Sequence, residues 1–388
     1  MRHLRYFCFC LLAALLLFSC GPTASTSEQT FGTISFSLDT VMVDPGDEIL
    51  NLKYGLFVSD LSEDKRFLYF WDPDNALINE IDLDALALRN QYRFEKEGPD
   101  GVGNTFVHSL NCYEEGFLIA SFGARGYFSK AGKKLKDFRV QAESYAGDAQ
   151  DLGQEYDHNP IVYANETKYV GLVQDWFSGT FALVLTDNEQ RVRHKVVLPE
   201  IETLPDYTLM LRSDDLIEVQ GSDKKLQRVG HQVIFSNSTY ADLFVFDLLT
   251  DSMRRVSYRP TLTAAQKKGG YPKEVSSKKE MEDLWEQIHG EINFLPPLWD
   301  AERSLYYRLS YTVHKNPAYL PEVENAKKYT YRVYLTVLNS DFELVAESEL
   351  AGMPFVPRRS IVKDGMLWSE INIDDELGFQ RIRFDFGD

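Results

Sequence analysis

The chain has 388 residues, of which 44% are hydrophobic, and its 25 Phe and 21 Tyr supply ample material for a large β-rich core. It carries 41 basic and 59 acidic residues, a formal charge of −18. That balance lacks the basic footprint nucleic-acid binding needs, so no nucleic-acid partner is expected.

Met1-Arg2-His3-Leu4-Arg5 is a short basic start, and Tyr6 to Phe18 is a nearly unbroken apolar run. The run is shorter than the ~20 residues that span a bilayer and suits the h-region of a secretory signal. Leu17-Phe18-Ser19-Cys20-Gly21 then resembles the bacterial lipoprotein box: Leu at −3, a small residue at −1, then Cys. Phe18 at −2 is bulkier than the usual occupant. Residues 1–19 are therefore read as a lipoprotein signal peptide and Cys20 as the lipid-attachment site. Acyl chains bury methylenes at about 0.8 kcal/mol each, so the membrane is expected as a partner through Cys20. Loss of Arg2 and Arg5 with the leader takes the charge from −18 to −20, which disfavours any further adsorption to an anionic surface.

Residues 20–30 read as a flexible tether, since Gly21 to Thr30 is small, polar and aperiodic. Fully extended it reaches at most about 33 Å. Directly after Cys20 there is no acidic cluster like that of surface-exported lipoproteins in the Bacteroidetes. The expected address is the cell envelope, lipid-anchored on the periplasmic side of the outer membrane. Of four cysteines, Cys8 and Cys10 leave with the leader and Cys20 is acylated. Cys112 alone remains, so neither an internal disulfide nor a cysteine metal site is expected. Between Asn111 and Tyr113 it reads as a small strand residue.

Residues 31–388 are read as one all-β domain. Thr33 to Leu38 alternates, with Ile34, Phe36 and Leu38 on one face, and ends near the Asp44-Pro45-Gly46-Asp47 turn. Phe67 to Asp84 reads as a β-hairpin, an apolar run meeting Asp72-Pro73-Asp74-Asn75 and then a strand with Leu77, Ile81 and Leu83 on one face. Related hairpins start at Phe117, Tyr169, Val233, Leu305 and Met366. The starts are separated by 50, 52, 64, 72 and 61 residues. Propeller blades repeat at about 40–50 residues, with longer intervals where loops are inserted. The expectation is a six-bladed β-propeller with decorated later blades; length alone also permits two β-sandwich domains. The Ile34–Leu38 strand is expected to pair with the last blade and close the ring, covering an edge that is otherwise a liability. A short inserted helix is expected from the capping-box pattern Ser277-Lys278-Lys279-Glu280, followed by Met281, Leu284, Trp285 and Ile288. Gly290 is the expected C-cap.

The lipoprotein start, Ser37-Leu38-Asp39-Thr40-Val41-Met42-Val43-Asp44, the stretch Phe94 to Gly103, and Pro297-Leu298-Trp299-Asp300 with Tyr306-Tyr307-Arg308 resemble an uncharacterised family. It comprises Bacteroidetes lipoproteins known as a domain of unknown function and related to six-bladed propeller lipoproteins. The resemblance covers most of the chain after the leader; it implies fold and address but no chemistry.

Gly98-Pro99-Asp100-Gly101-Val102-Gly103 lacks a following Lys-Ser/Thr and reads as a tight loop, not a phosphate cradle. Asp72-Pro73-Asp74-Asn75 resembles half a calcium loop without its terminal Glu and is better explained as a turn. The histidines at 108, 158, 194, 231, 289 and 314 form no local metal spacing, and the sequence assigns no metal and no cofactor. Three residues are candidate ligand contacts. His158 precedes an apolar strand and is placed at a ring mouth, while Trp299 and Arg308 offer an aromatic platform and a guanidinium suited to a sugar or carboxylate. No Gly-x-Ser-x-Gly elbow is present, and no catalytic residue is assigned. The function expected is a binding or scaffold module for an envelope protein or glycan, the alternative being a tunnel-site enzyme of lactonase or glycan-active type. An exposed aromatic patch favours the first; inward carboxylates with Asn or His favour the second.

Overall fold

A computed structural model describes residues 34–103, 106–121, 125–137, 161–162, 168–174, 181–187, 192–197, 204–212, 217–323 and 326–387. Strand β1 (Ser35–Met42) is followed by a first antiparallel sheet of β2 (Ser59–Leu61), β3 (Phe67–Asp72), β4 (Leu77–Asp82) and β5 (Ala87–Arg93). The second sheet holds β6 (Val107–Tyr113), β7 (Gly116–Ser121), β8 (Arg125–Ser129) and β9 (Lys134–Asp137). The third holds β10 (Ile161–Val162), β11 (Lys168–Gln174), β12 (Phe181–Asp187) and β13 (Val192–Val197). After β14 (Leu209–Arg212) and β15 (Ile217–Gln220) comes the fourth sheet: β16 (Lys224–Val229), β17 (Gln232–Asn237), β18 (Leu243–Asp247) and β19 (Ser252–Val256). Strand β20 (Glu274–Val275) and helix α1 (Lys278–Gly290) precede the fifth sheet, in which β21 (Asn293–Phe294) and β22 (Leu298–Asp300) both pair with β23 (Leu305–Lys315). That sheet continues through β24 (Tyr329–Asn339) and β25 (Leu344–Glu349). The sixth contains β26 (Ser360–Lys363), β27 (Met366–Ile373), β28 (Glu376–Asp385) and, at its edge, β1.

The N-terminal strand expected to pair with the last sheet does so. Ser35 faces Asp385 and Met42 faces Gly378 in antiparallel register, and Asp39 forms an ion pair with Arg381. Apart from β1, the strands of these six sheets follow chain order as meanders, the construction used by propeller-like proteins. Burial grades across it. Middle strands such as β4 and β7 are buried throughout, outer strands such as β5 and β9 are partly exposed, and first strands such as β2 and β22 are only half-buried. Consecutive first strands lie side by side, β2 against β6, β10 against β16 and β22 against β26.

One turn recurs. At the ends of β3, β4, β18 and β22, the Oδ1 of Asp72, Asp82, Asp247 and Asp300 accepts the N–H groups two and three residues on, at 2.9 to 3.3 Å. The fourth residue on (Ala76, Leu86, Asp251 and Ser304) is left-handed, with φ between 50° and 54°, and the next strand begins one residue later. Thus the Asp72-Pro73-Asp74-Asn75 segment is a turn whose carboxylate is spent on the chain itself. The loop at Gly98–Gly103 is likewise self-bonded, with Gly101 N–H on Gly98 O at 3.0 Å.

Helix α1 begins as its capping pattern predicts, the Ser277 hydroxyl accepting from Glu280 N–H at 3.2 Å. The reciprocal arm is displaced, since the Glu280 carboxylate bonds Ser276 instead. Gly290 is not the C-cap. The helix runs through it to Glu291, which is extended at φ −76°. Side chains take over the role of a left-handed glycine here. Lys267 Nζ caps Ile288 O at 2.8 Å, and Asn293 Nδ2 caps His289 O at 2.8 Å. The helix packs through Met281 and Ile288 onto Leu209 and Val275 of a three-stranded sheet, β15-β14-β20, that the hydrophobic pattern does not announce.

Candidate binding site

His158 and Cys20 lie outside the described residues. Trp299 and Arg308 are described, and neither presents itself to a ligand. Trp299 is half-buried in β22, with its ring 4.6 Å from that of Tyr306, which stacks in turn on Phe342. This ladder belongs to the apolar core shared by the fourth and fifth sheets. Arg308 corrects the expectation drawn from its sequence neighbours. It is 1% exposed, and its five N–H groups are all used: on Leu295 O at 3.1 Å, Ala241 O, the Tyr258 hydroxyl at 3.0 Å, Asn237 O at 3.3 Å and Tyr240 O at 3.0 Å. Phe294 and Tyr258 flank the guanidinium. A guanidinium so saturated is a strut between sheets and has no donor left for a sugar or carboxylate.

Cys112 is a half-buried strand residue, as expected, with Sγ 2.7 Å from Leu61 O and its N–H 2.8 Å from Asp60 Oδ2. Burial, with the adjacent Asp60 carboxylate, pushes the thiol far up, so it carries no thiolate chemistry. Burial also raises Asp60, against hydrogen bonds from Cys112 and Leu61 and the charge of Lys225, which lower it. Among the described residues no group of three or more His, Cys, Asp and Glu is placed to hold a metal ion.

The exposed chemistry lies elsewhere. Three segments leading into first strands converge: Phe57 sits two residues before β2, Phe106 one before β6, and Arg359 one before β26. With Tyr54 they line an open groove of about 370 Å³, closed on one side by Glu370 of β27. Tyr54, Phe57 and Phe106 remain 43%, 57% and 42% exposed, costly for aromatic rings unless something covers them. Their centroids are 6.2 Å apart for Tyr54 and Phe106 and 6.1 Å for Phe57 and Phe106. The Arg359 guanidinium lies 5.9 Å from the Phe57 ring and 3.3 Å from the Glu370 carboxylate.

The loop carrying Tyr54 and Phe57 is fixed at both ends. Asn51 Nδ2 donates to Asp72 at 2.9 Å and Asp74 at 3.0 Å, and Leu56 N–H donates to Glu370 at 3.0 Å. Gly55, at φ +52°, rests directly on the Arg359–Glu370 pair. Only a residue without a Cβ permits that approach. The sequence carries a faint signal for this site, the aromatic pair of Tyr54-Gly55-Leu56-Phe57 in a stretch with no strand alternation. Phe106 and Arg359 join it only through the fold.

These features define an all-β protein of successive meanders with an aromatic, charge-paired groove at the entry to its first strands. A family model described as "Domain of unknown function (DUF4221)" matches residues 32–349, and the chain belongs to that family. The crystal structure of a DUF4221 member from Bacteroides vulgatus is similar over 92% of this chain and all of that one, with TM-score 0.64 and 14% identity. A putative exported protein from Bacteroides fragilis is similar over 90% of this chain and 95% of its own, with TM-score 0.51 and 10% identity. These likenesses concern the fold. No curated protein matches.

Proposed function

We propose that this protein is a lipid-anchored binding module, a six-bladed propeller that presents the Tyr54–Phe57–Phe106 face to a protein or glycan of the cell envelope. The single observation that carries the reading is that face, three exposed rings brought together from two loops beside a fixed ion pair. Six meanders, the β1–β28 pairing and the side-by-side first strands support a closed ring. Acylation at Cys20 supplies the anchor, with the groove on the periplasmic side of the outer membrane.

The test is crosslinking in cells with the affinity-tagged full-length protein, followed by identification of what co-purifies. One dominant partner or glycan, lost when Tyr54, Phe57 and Phe106 are replaced together by Ala, is the expected result. Capture that is unchanged by the triple replacement overturns the assignment of the binding face, and no capture above background overturns the module reading.

A further inference from the structure

We infer that the groove takes a neutral saccharide, a commitment that rests on the binding-module reading and names its ligand. Four observations converge on this class. First, the main chain is already occupied. Gly55 N–H donates to Leu52 O at 2.9 Å, Leu56 N–H to Glu370 at 3.0 Å and Phe57 N–H to Tyr54 O at 3.3 Å. An extended peptide adding to this wall finds none of these amides open, so recognition falls to side chains.

Second, the rings form no parallel slot. Tyr54 and Phe106 stand at 78° and Phe57 and Phe106 at 40°. A flat aromatic ligand needs a face to lie on and a second to cover it. A puckered sugar ring has C–H groups on both faces and meets tilted rings through them, while its hydroxyls point to the rim.

Third, the rim suits hydroxyls. Arg359 spends one N–H on Glu370 among the described residues, leaving a planar set of donors beside a carboxylate that accepts. A vicinal diol uses both at once. Fourth, the charges are paired, Arg359 with Glu370 at 3.3 Å and Lys53 with Asp74 at 3.8 Å. The groove therefore offers no surplus positive charge to an anion, on a chain whose formal charge of −18 repels anions at long range. The volume of about 370 Å³ is at the small end of ligand sites and fits a short stretch of glycan.

The experiment is calorimetry and saturation-transfer NMR on the full-length protein, purified in a detergent without a sugar headgroup. The probes are malto-, cello-, manno-, xylo- and chito-hexaose, with an oligogalacturonide as the acidic comparison. At least one neutral hexasaccharide should bind. Phe57→Ala and Phe106→Ala should each weaken it about tenfold, and Arg359→Gln should weaken it as well. Leu249→Ala, at an exposed apolar side chain outside the groove, should leave it unchanged. Absence of binding by every neutral probe overturns the inference, as does binding insensitive to the groove variants or preference for the oligogalacturonide. A protein partner captured in cells through the same rings, with no sugar response, leaves the module reading standing and removes the saccharide.

Discussion

Arg308 Nη1 and the Tyr258 hydroxyl meet at 3.0 Å inside the molecule, in a shell of acceptors that are all neutral. The guanidinium ties β23 to residues 237–241, at and just beyond the end of β17, so two sheets share one cation. Replacing it strips five partners at once, and an unsatisfied buried acceptor costs about 1–3 kcal/mol. Arg308→Met should therefore lower stability by about 3 kcal/mol or more, read as a fall in the urea midpoint. Arg308→Lys keeps the charge but loses the planar fork and should fall between the two.

Gly55 sits where a Cβ would land on the Glu370 carboxylate and the Arg359 guanidinium. Gly55→Ala also forces a left-handed φ of +52° on an ordinary residue. Both side chains have flexible ends and will yield, so the fold should survive with a loss of about 1–3 kcal/mol. Ligand capture should be lost. A variant that binds normally would show that the ion pair does not shape the groove.

His289 lies against Trp285, with ring centroids 4.5 Å apart. Burial, with the charges of Lys267 and Arg358, brings its imidazole down from 6.5 to about 4. Between these values the unfolded chain binds the proton and the folded chain does not, so stability falls as pH drops from about 6.5 towards 4. His289→Gln should flatten that window by about 2 kcal/mol for a partly exposed ring, measured as the difference between parent and variant. A constant difference from pH 7 to pH 4 would refute the linkage.

Metabolic labelling with an alkyne fatty acid should mark the wild-type protein and not Cys20→Ser. On the proposed anchor, whose acyl methylenes would each bury at ~0.8 kcal/mol, the variant should also leave the membrane fraction. Labelling that persists in the variant would sink the assignment of Cys20.

The hairpin starts read from sequence at Phe67, Phe117, Tyr169, Val233, Leu305 and Met366 fall within one residue of β3, β7, β11, β17, β23 and β27. They were legible because these strands are buried at nearly every described position of their cores, so the apolar run itself marks them. First strands are short and half-buried, as β2 and β22 show, and they leave a weaker trace. The β14–β20 pair was not legible, because a parallel pairing of Met210 with Glu274 rests on long-range assembly. The site was less legible still. Arg308 with Trp299 suggested an aromatic platform and a binding guanidinium, but the environment of Arg308 is set by Ala241 and Tyr258, at sequence separations of 67 and 50. The rings of the groove sit in loops, where no periodicity picks them out.

The pairing of β1 with β28 joins residues as far apart as Ser35 and Asp385, a separation of 350. During synthesis the first strand therefore emerges long before its partner and must cross the interval without one. Contacts so distant in sequence form late, and an unpaired strand in that period is a site for association with other chains. The composition of β1 fits this delay. Ser35, Ser37, Asp39 and Thr40 leave it mostly solvent-facing even after pairing, with Val41 among its few half-buried positions. The Asp39 charge and the three hydroxyls along it make β1 a poor template for a wrong neighbour despite the exposed Leu38 and Met42, and it can wait for the C-terminus to arrive.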